Sequence, residues 1–464
     1  MIKININSHL QLYENLKVEI IKKMVNSKFY SIRQVVIKYN TNINTVLKVF
    51  KTLENNGYLY LKKGVGYFVK ENSNFFVEKN LLPVMKSLHS RENNTQKINF
   101  SNGSPSSEYF PIEIYKKLVD KVLMNYGPSL LNYQNIQGLE SLRKILADSL
   151  EKSDLFINEN EIMITTGTQQ SLTIILNSFS DSIDSSPKTI AISNPTYPNA
   201  LNLFGKMLKI KTFDLKKDGW DLIKFEKVLK EERIHYVYIM SNFQNPTGIS
   251  WSMKKKKKLL TLAHKYNFYI IEDGCFSDFY YTKKVEAIKA LDQKGKEKVI
   301  YIKTYSMIFM PGMSIAIVIF PPLIMEKALL IKYTLDHGPS GLNQKILEYF
   351  IAEKILDQHL KNLKKIFKIK LKKTLELLAE IPHLTPLNKV KGGFFIWLQL
   401  KNNIDEEKFY EECKIRGLSL LPGNLFYYDR RFSGKIRLSF IHPSLKKIEE
   451  GVEIMKNILQ KYDR

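Results

Sequence analysis

Four short stretches carry residue types and spacings that could do chemistry. Thr165-Thr-Gly-Thr-Gln169 follows an apolar run and precedes a helical window at Gln170. Backbone N–H groups and threonine hydroxyls at a helix N-terminus suit a phosphate, and an ordinary helix cap accounts for the same residues. Asn194-Pro-Thr-Tyr197-Pro sets an aromatic ring either over a planar ligand or into the core. In Phe243-Gln-Asn245-Pro-Thr-Gly248 an amide stands beside a tight Pro-Gly turn, which suits a ligand oxygen. Glu272-Asp273 ends an apolar run. A carboxylate in such a place needs a partner, and a protonated ring nitrogen would be one.

The elements that must position these residues follow from the surrounding pattern. From Ile98 onward, apolar runs alternate with amphipathic helical windows, which predicts an α/β domain. Strands are expected at Glu161–Thr165, Thr189–Ser193, Tyr236–Met240, Phe268–Glu272 and Val299–Ile302. Ligands of such sheets lie outside the carboxyl ends of the strands. All four stretches fall there.

The first 70 residues read differently. Leu12, Tyr13, Leu16, Ile20 and Met24 recur at helical spacing. Ser31-Ile-Arg-Gln34 reads as a capping box opening a second helix with Val35 and Val36 inward. Thr41-Asn-Ile-Asn-Thr45 is a polar turn opening a third, with Val46, Val49, Phe50 and Leu53 on its core face and Gly57 closing it. Tyr58–Leu61 and Tyr67–Val69 read as strands around a basic, glycine-containing turn. Three helices followed by a basic hairpin is the layout of a winged helix-turn-helix. Asn42, Asn44 and Thr45 would open the third helix where polar side chains meet base edges or phosphates. Arg33, Lys48, Lys62 and Lys63 would contact backbone phosphates. A small helical domain with a solvated basic turn fits the same pattern.

Length and composition bound the rest. A chain of 464 residues, 44% hydrophobic and 25% charged, is expected to form two or three globular domains. Its formal charge of +25 favours anionic partners, although Lys, Asn and Ile are abundant throughout the chain. With only Cys275 and Cys413, no disulfide framework is implied, and a reducing cytoplasm fits. No signal peptide, membrane span or metal is expected; the longest apolar run, near Ile315–Met325, is broken by Pro321 and Pro322. Residues 71–97 read as a polar linker, and Lys254–Lys258 as the solvated start of a helix.

Two resemblances sharpen these readings. Thr45-Val-Leu-Lys48, Leu53-Glu-Asn-Asn-Gly57-Tyr-Leu and Lys63-Gly-Val-Gly-Tyr-Phe-Val69 resemble the winged helix of GntR-family regulators. A shorter loop between helices one and two, and Ile43 where an arginine is usual, depart from that pattern. Over 98–464 the ordered motifs resemble the fold-type I aminotransferase domain, a large α/β sheet domain with a smaller C-terminal lobe. The resemblance implies that Gly167, Thr168 and Gln169 hold a pyridoxal phosphate's phosphate, and that Tyr197 stacks on its ring. By the same resemblance, Asn245 donates to the ring hydroxyl and Asp273 pairs with the ring nitrogen. Tyr133 would reach a partner subunit's phosphate, implying a homodimer, and Arg437 would fork onto a substrate carboxylate. The fused arrangement is that of MocR-type regulators.

The segment Tyr301–Ser314 resembles the family's Schiff-base stretch: Thr304, Ser306, Pro311 and Gly312 keep their places, while Met307 takes the lysine position and Ser314 an arginine position. Cys275, two residues beyond Asp273, also departs from the pattern. A thioether cannot replace a nucleophilic amine, so no catalytic residue is assigned. The expectation is a regulator binding double-stranded DNA, whose aminotransferase-like domain holds pyridoxal phosphate non-covalently, holds it joined to an amino-compound effector, or serves only to dimerise. The rival is an active aminotransferase with a vestigial N-terminal domain, for which Lys303 would have to supply the amine.

Overall fold

The computed structural model describes residues 9–21, 27–70, 98–179, 188–292, 297–429 and 433–462. The chain divides into two compact units, Met1–Asn94 and Thr95–Arg464. The linker expected over 71–97 lies outside the described residues, as does Met24.

In the first unit, α1 (His9–Ile21) buries Leu12, Leu16 and Ile20 completely. The capping box forms at α2 (Ile32–Tyr39): Gln34 N–H donates to Ser31 Oγ, and Ser31 N–H to Gln34 Oε1. Asn42 caps α3 (Ile43–Asn55) by accepting the Thr45 N–H at 2.7 Å. Capping thus engages the side chain of Asn42, offered above as a DNA contact, and leaves its amide N–H groups and one carbonyl lone pair for a ligand. Val46, Val49, Phe50 and Leu53 turn inward, and Gly57 leaves the helix at φ +73°. β1 (Leu59–Lys62) and β2 (Gly66–Val69) form an antiparallel hairpin, and the Phe50 ring meets Tyr67 edge-on at 4.9 Å.

The second unit is organised by a seven-stranded sheet. After β3 (Ile98–Asn99) come β4 (Ile162–Thr165), β5 (Thr189–Asn194), β6 (Lys209–Asp214), β7 (Tyr236–Ile239), β8 (Tyr269–Asp273), β9 (Val299–Thr304) and β10 (Ala316–Ile319). The sheet order is β4-β10-β9-β8-β7-β5-β6, with β10 antiparallel to both neighbours and every other pairing parallel. Thr165, Asn194, Ile239, Asp273 and Thr304 therefore end their strands on one edge. β4, β5, β7, β9 and β10 are buried at every residue, as strands of a sheet covered on both faces must be. One side is filled by Trp220, Phe225, Trp251 and Phe268 packed with the helix Met253–Tyr266.

A second, antiparallel sheet builds the C-terminal lobe. It comprises β11 (Leu384–Pro386), β12 (Phe395–Leu400), β14 (Leu421–Pro422) and β15 (Lys435–Ser439) in the order β11-β12-β15-β14, while β13 (Leu418–Ser419) pairs with β3. Residues 98–99 thus belong structurally with the C-terminal lobe.

One expectation is corrected. Lys256, inside the run read as solvated, is fully buried, and its ammonium donates to Asn242 Oδ1 and the Glu286 carbonyl. Burial pulls its pKa down to about 8. A helix start that packs on the sheet turns every third or fourth residue inward, lysine included. Among the described residues no helix is long and apolar enough to cross a membrane.

Candidate ligand-binding site

The carboxyl edge of the sheet gathers most of the residues singled out above. Asp273 is the last residue of β8 and 2% exposed. Its carboxylate accepts the Tyr238 hydroxyl at 2.9 Å and the Cys275 N–H at 3.0 Å. Burial outweighs both bonds and pushes its pKa up to about 6. Glu272, its neighbour on the opposite face, is satisfied differently: it accepts from Ser241 and from the backbone N–H groups of Ile288 and Lys289. Asp273 is thus a buried carboxylate held by two neutral donors, with no ion pair among the described residues. Burial likewise pushes the half-buried Cys275 thiol well up.

Tyr197 follows β5 and is half-buried; burial carries its hydroxyl up to about 12, with the nearby charges of Cys275 and Asp273 adding to the shift. Its hydroxyl also accepts from Asn199, and it meets Gln169. Asn245 lies in the turn after β7, 4% exposed, and accepts from Arg437 Nη1 at 3.3 Å. Arg437, on β15, donates Nη2 to the Ser101 carbonyl and stacks with its Cζ 4.2 Å from the Phe395 ring centre. Its Nε has no partner, and no carboxylate faces it in these contacts; burial pushes its pKa down. A buried guanidinium with a spare donor suits a ligand anion.

The first stretch forms a turn and a helix start. Gly167 adopts φ +145° with open space where a Cβ would stand, and the helix Thr168–Ser178 begins behind it, with Thr168 half-buried and Gln169 exposed. Thr165 bonds Ser171 within this turn at 2.8 Å. Past β9, Ser306 N–H donates to the buried Thr304 hydroxyl at 3.2 Å, and Met307 is half-buried in the turn that follows. Ser314 is exposed at φ +49°.

Residues 95–455 match the family Aminotransferase class I and II. The chain belongs to this family. It is 30% identical to aromatic-amino-acid aminotransferase 1 of Thermococcus litoralis over 365 residues, covering 77% of this chain and 86% of that one. It is 27% identical to the HTH-type transcriptional regulator NorG of Staphylococcus aureus over 445 residues, covering 92% and 98% respectively. The crystal structure of Pyrococcus horikoshii kynurenine aminotransferase in complex with PMP matches with TM-score 0.75 at 28% identity, covering 82% of this chain and 95% of that one.

Pyridoxal phosphate is the cofactor of this family's aminotransferases, and the residues present fit part of it. The cation-less Asp273 fits a ring N–H⁺, the half-buried Tyr197 ring stands beside it, and the spare donor of Arg437 fits a carboxylate. The covalent anchor does not fit. In Tyr301–Ser314 the one lysine is Lys303. Register decides where it points. Asp273 pairs with Ile302 and Glu272 with Tyr301, so Asp273 shares a sheet face with Ile302 and Thr304, whereas Lys303 lies on the other face. There Lys303 is ion-paired to Asp278 and lines a separate cavity of about 290 Å³ with Ser277, Tyr301, Tyr305 and Leu356.

The other predicted residues stand apart from this cluster. Tyr133 is 83% exposed, its ring 4.9 Å from His337. The residues offered for DNA lie in the first unit: Arg33, Asn42, Asn44, Lys48, Lys62 and Lys63 are exposed and Thr45 is half-buried. Sequence reading missed Tyr238, which orients Asp273. Its only signal was a hydroxyl-bearing ring inside a strand buried at every residue, where such a group needs a partner.

Proposed function

We propose that this protein is a DNA-binding transcriptional regulator of the MocR type. Its aminotransferase-like unit dimerises and senses pyridoxal phosphate or an amino compound without catalysing transamination. The observation that carries this reading is the facing of β9: Lys303, the one lysine of Tyr301–Ser314, is turned away from Asp273 and engaged by Asp278, while Met307 takes the lysine's place in the family pattern. A ring held by Asp273, Tyr197, Asn245 and Arg437 would be bound but not anchored, and no group at position 307 could move a proton to or from it.

The first unit supports the DNA-binding half. Its three helices and hairpin have the layout of a winged helix-turn-helix, and Arg33, Asn44, Lys48, Lys62 and Lys63 stand exposed on it. The likeness to NorG, a protein named as an HTH-type regulator, extends over 92% of this chain, more than the second unit spans, and so reaches into the first unit. The likeness to the Thermococcus aminotransferase spans 77% of it and favours the rival reading, an active aminotransferase. Exposed Tyr133 supports a second subunit, whose phosphate site it would reach.

One spectrum separates the readings. Pyridoxal phosphate added to the purified protein is expected to give no borohydride-reducible visible band. A reducible band, with turnover of amino acids, would replace the regulator by the enzyme. For the DNA end, affinity for duplex should fall steeply with salt as phosphate contacts release counterions.

A further inference from the structure

The outward side of α3 is not uniformly polar. Ile43 is 52% exposed and Leu47 44% exposed. Four residues apart, they lie one above the other on the same flank of the helix. They stand at the edge of the face that Val46, Val49, Phe50 and Leu53 bury, and are not among the residues packed in the unit's core. Asn44, Lys48 and Lys51 of the same helix are exposed, as are Arg33 on α2 and Lys62 and Lys63 on the hairpin of the same unit. A partner for this surface must be anionic at its rim and apolar at points inside it.

Duplex DNA has that pattern. Its phosphates border a major groove wide enough for a helix, and within the groove the C5 methyl of thymine is the apolar feature of the base edges. Residues near the N-terminus of a recognition helix are those that meet base edges, and Ile43 is the first residue of α3. Resting on the winged-helix reading above, we propose that Ile43 and Leu47 pack against thymine methyl groups in the major groove. Sequence preference would then come in part from apolar contact at T positions, with the surrounding lysines supplying sequence-independent affinity.

Replacing thymine by uracil removes the methyl and leaves the pairing edges intact, which makes the test direct. The full-length protein enriches duplexes from a random-sequence pool, and the enriched duplexes are resynthesised with dTTP or with dUTP. Dissociation constants are then measured for the native chain, the Ile43→Ala/Leu47→Ala double variant and Lys48→Ala. The native chain is expected to bind the uracil duplex about fourfold more weakly per methyl contacted, or about fifteenfold for two. The double variant should bind the thymine duplex more weakly and lose the difference between the two duplexes. Lys48→Ala should weaken both and keep the difference. Equal affinity of the native chain for both duplexes overturns the methyl contact and leaves DNA binding standing. A double variant that still discriminates also overturns it, because other residues then read the methyls. Failure to enrich any duplex removes the winged-helix reading and this inference together. Loss of self-association in the double variant, without loss of discrimination, would mark the pair as a protein contact instead.

Discussion

Asp273→Asn tests whether the carboxyl edge of the sheet is built for a cationic ring. The carboxyl's pKa stands at about 6 against an ordinary 3.8, because burial outweighs its two hydrogen bonds. The folded chain therefore holds this proton more tightly than the unfolded chain does. The stability it contributes is full below about pH 4 and is lost as pH rises through about 6. Two pKa units correspond to about 3 kcal/mol of penalty at neutral pH in the ligand-free protein. Asparagine removes the charge and keeps the contacts: its Oδ1 can accept the Cys275 N–H, and its Nδ2 can donate to a reversed Tyr238 hydroxyl. For the unit Thr95–Arg464, about 3 kcal/mol corresponds to a rise of about 4 °C in Tm. Thermal unfolding of both proteins across pH 4 to 7.5 should show near-coincidence at the acid end and the gain opening through pH 6. Pyridoxamine phosphate should raise the Tm of the native chain and not that of the variant, which offers a ring N–H⁺ no charge. If asparagine brings no gain at neutral pH, or a gain independent of pH, Asp273 is not a carboxylate held at a cost for a ligand, and the argument fails.

Three other substitutions probe neighbouring claims. Met307→Lys should create a borohydride-reducible band with pyridoxal phosphate that the native chain lacks; an unchanged spectrum would show that position 307 does not face the ring. Asp278→Ala leaves the Lys303 ammonium buried beside Tyr305 without its anion, and should cost about 3 kcal/mol in urea unfolding, largely restored by adding Lys303→Met. Gly138→Ala puts a Cβ 2.2 Å from Ile164 Cγ1 at φ +103°, so a loss of about 2 kcal/mol or more is expected, and a smaller one when Ile164→Ala is made alongside it.

The contrast between Lys303 and Tyr238 shows what a sequence can and cannot disclose about such a site. β4, β5, β7 and β9 are legible as strands because each is buried on both faces and reads as a mainly apolar run. For the same reason they carry no alternation, and nothing in the run tells which residues face which side. The first unit is the opposite case. Its helices carry a one-sided apolar stripe and Ser31 caps α2 as expected, so Leu12, Val35, Val46 and Leu53 could be placed inside from spacing alone. In the sheet, facing comes from pairing between strands distant in sequence. The register Asp273 to Ile302 puts Thr304 on the side of Asp273 and Lys303 behind it, and the register Ile239 to Glu272 brings Tyr238 round to Asp273. A shift of one residue would exchange the two faces and offer the site an amine. The chemistry available at this edge, and with it the choice between sensing and catalysis, therefore hangs on the parity of a β-pairing, which single-strand pattern cannot convey.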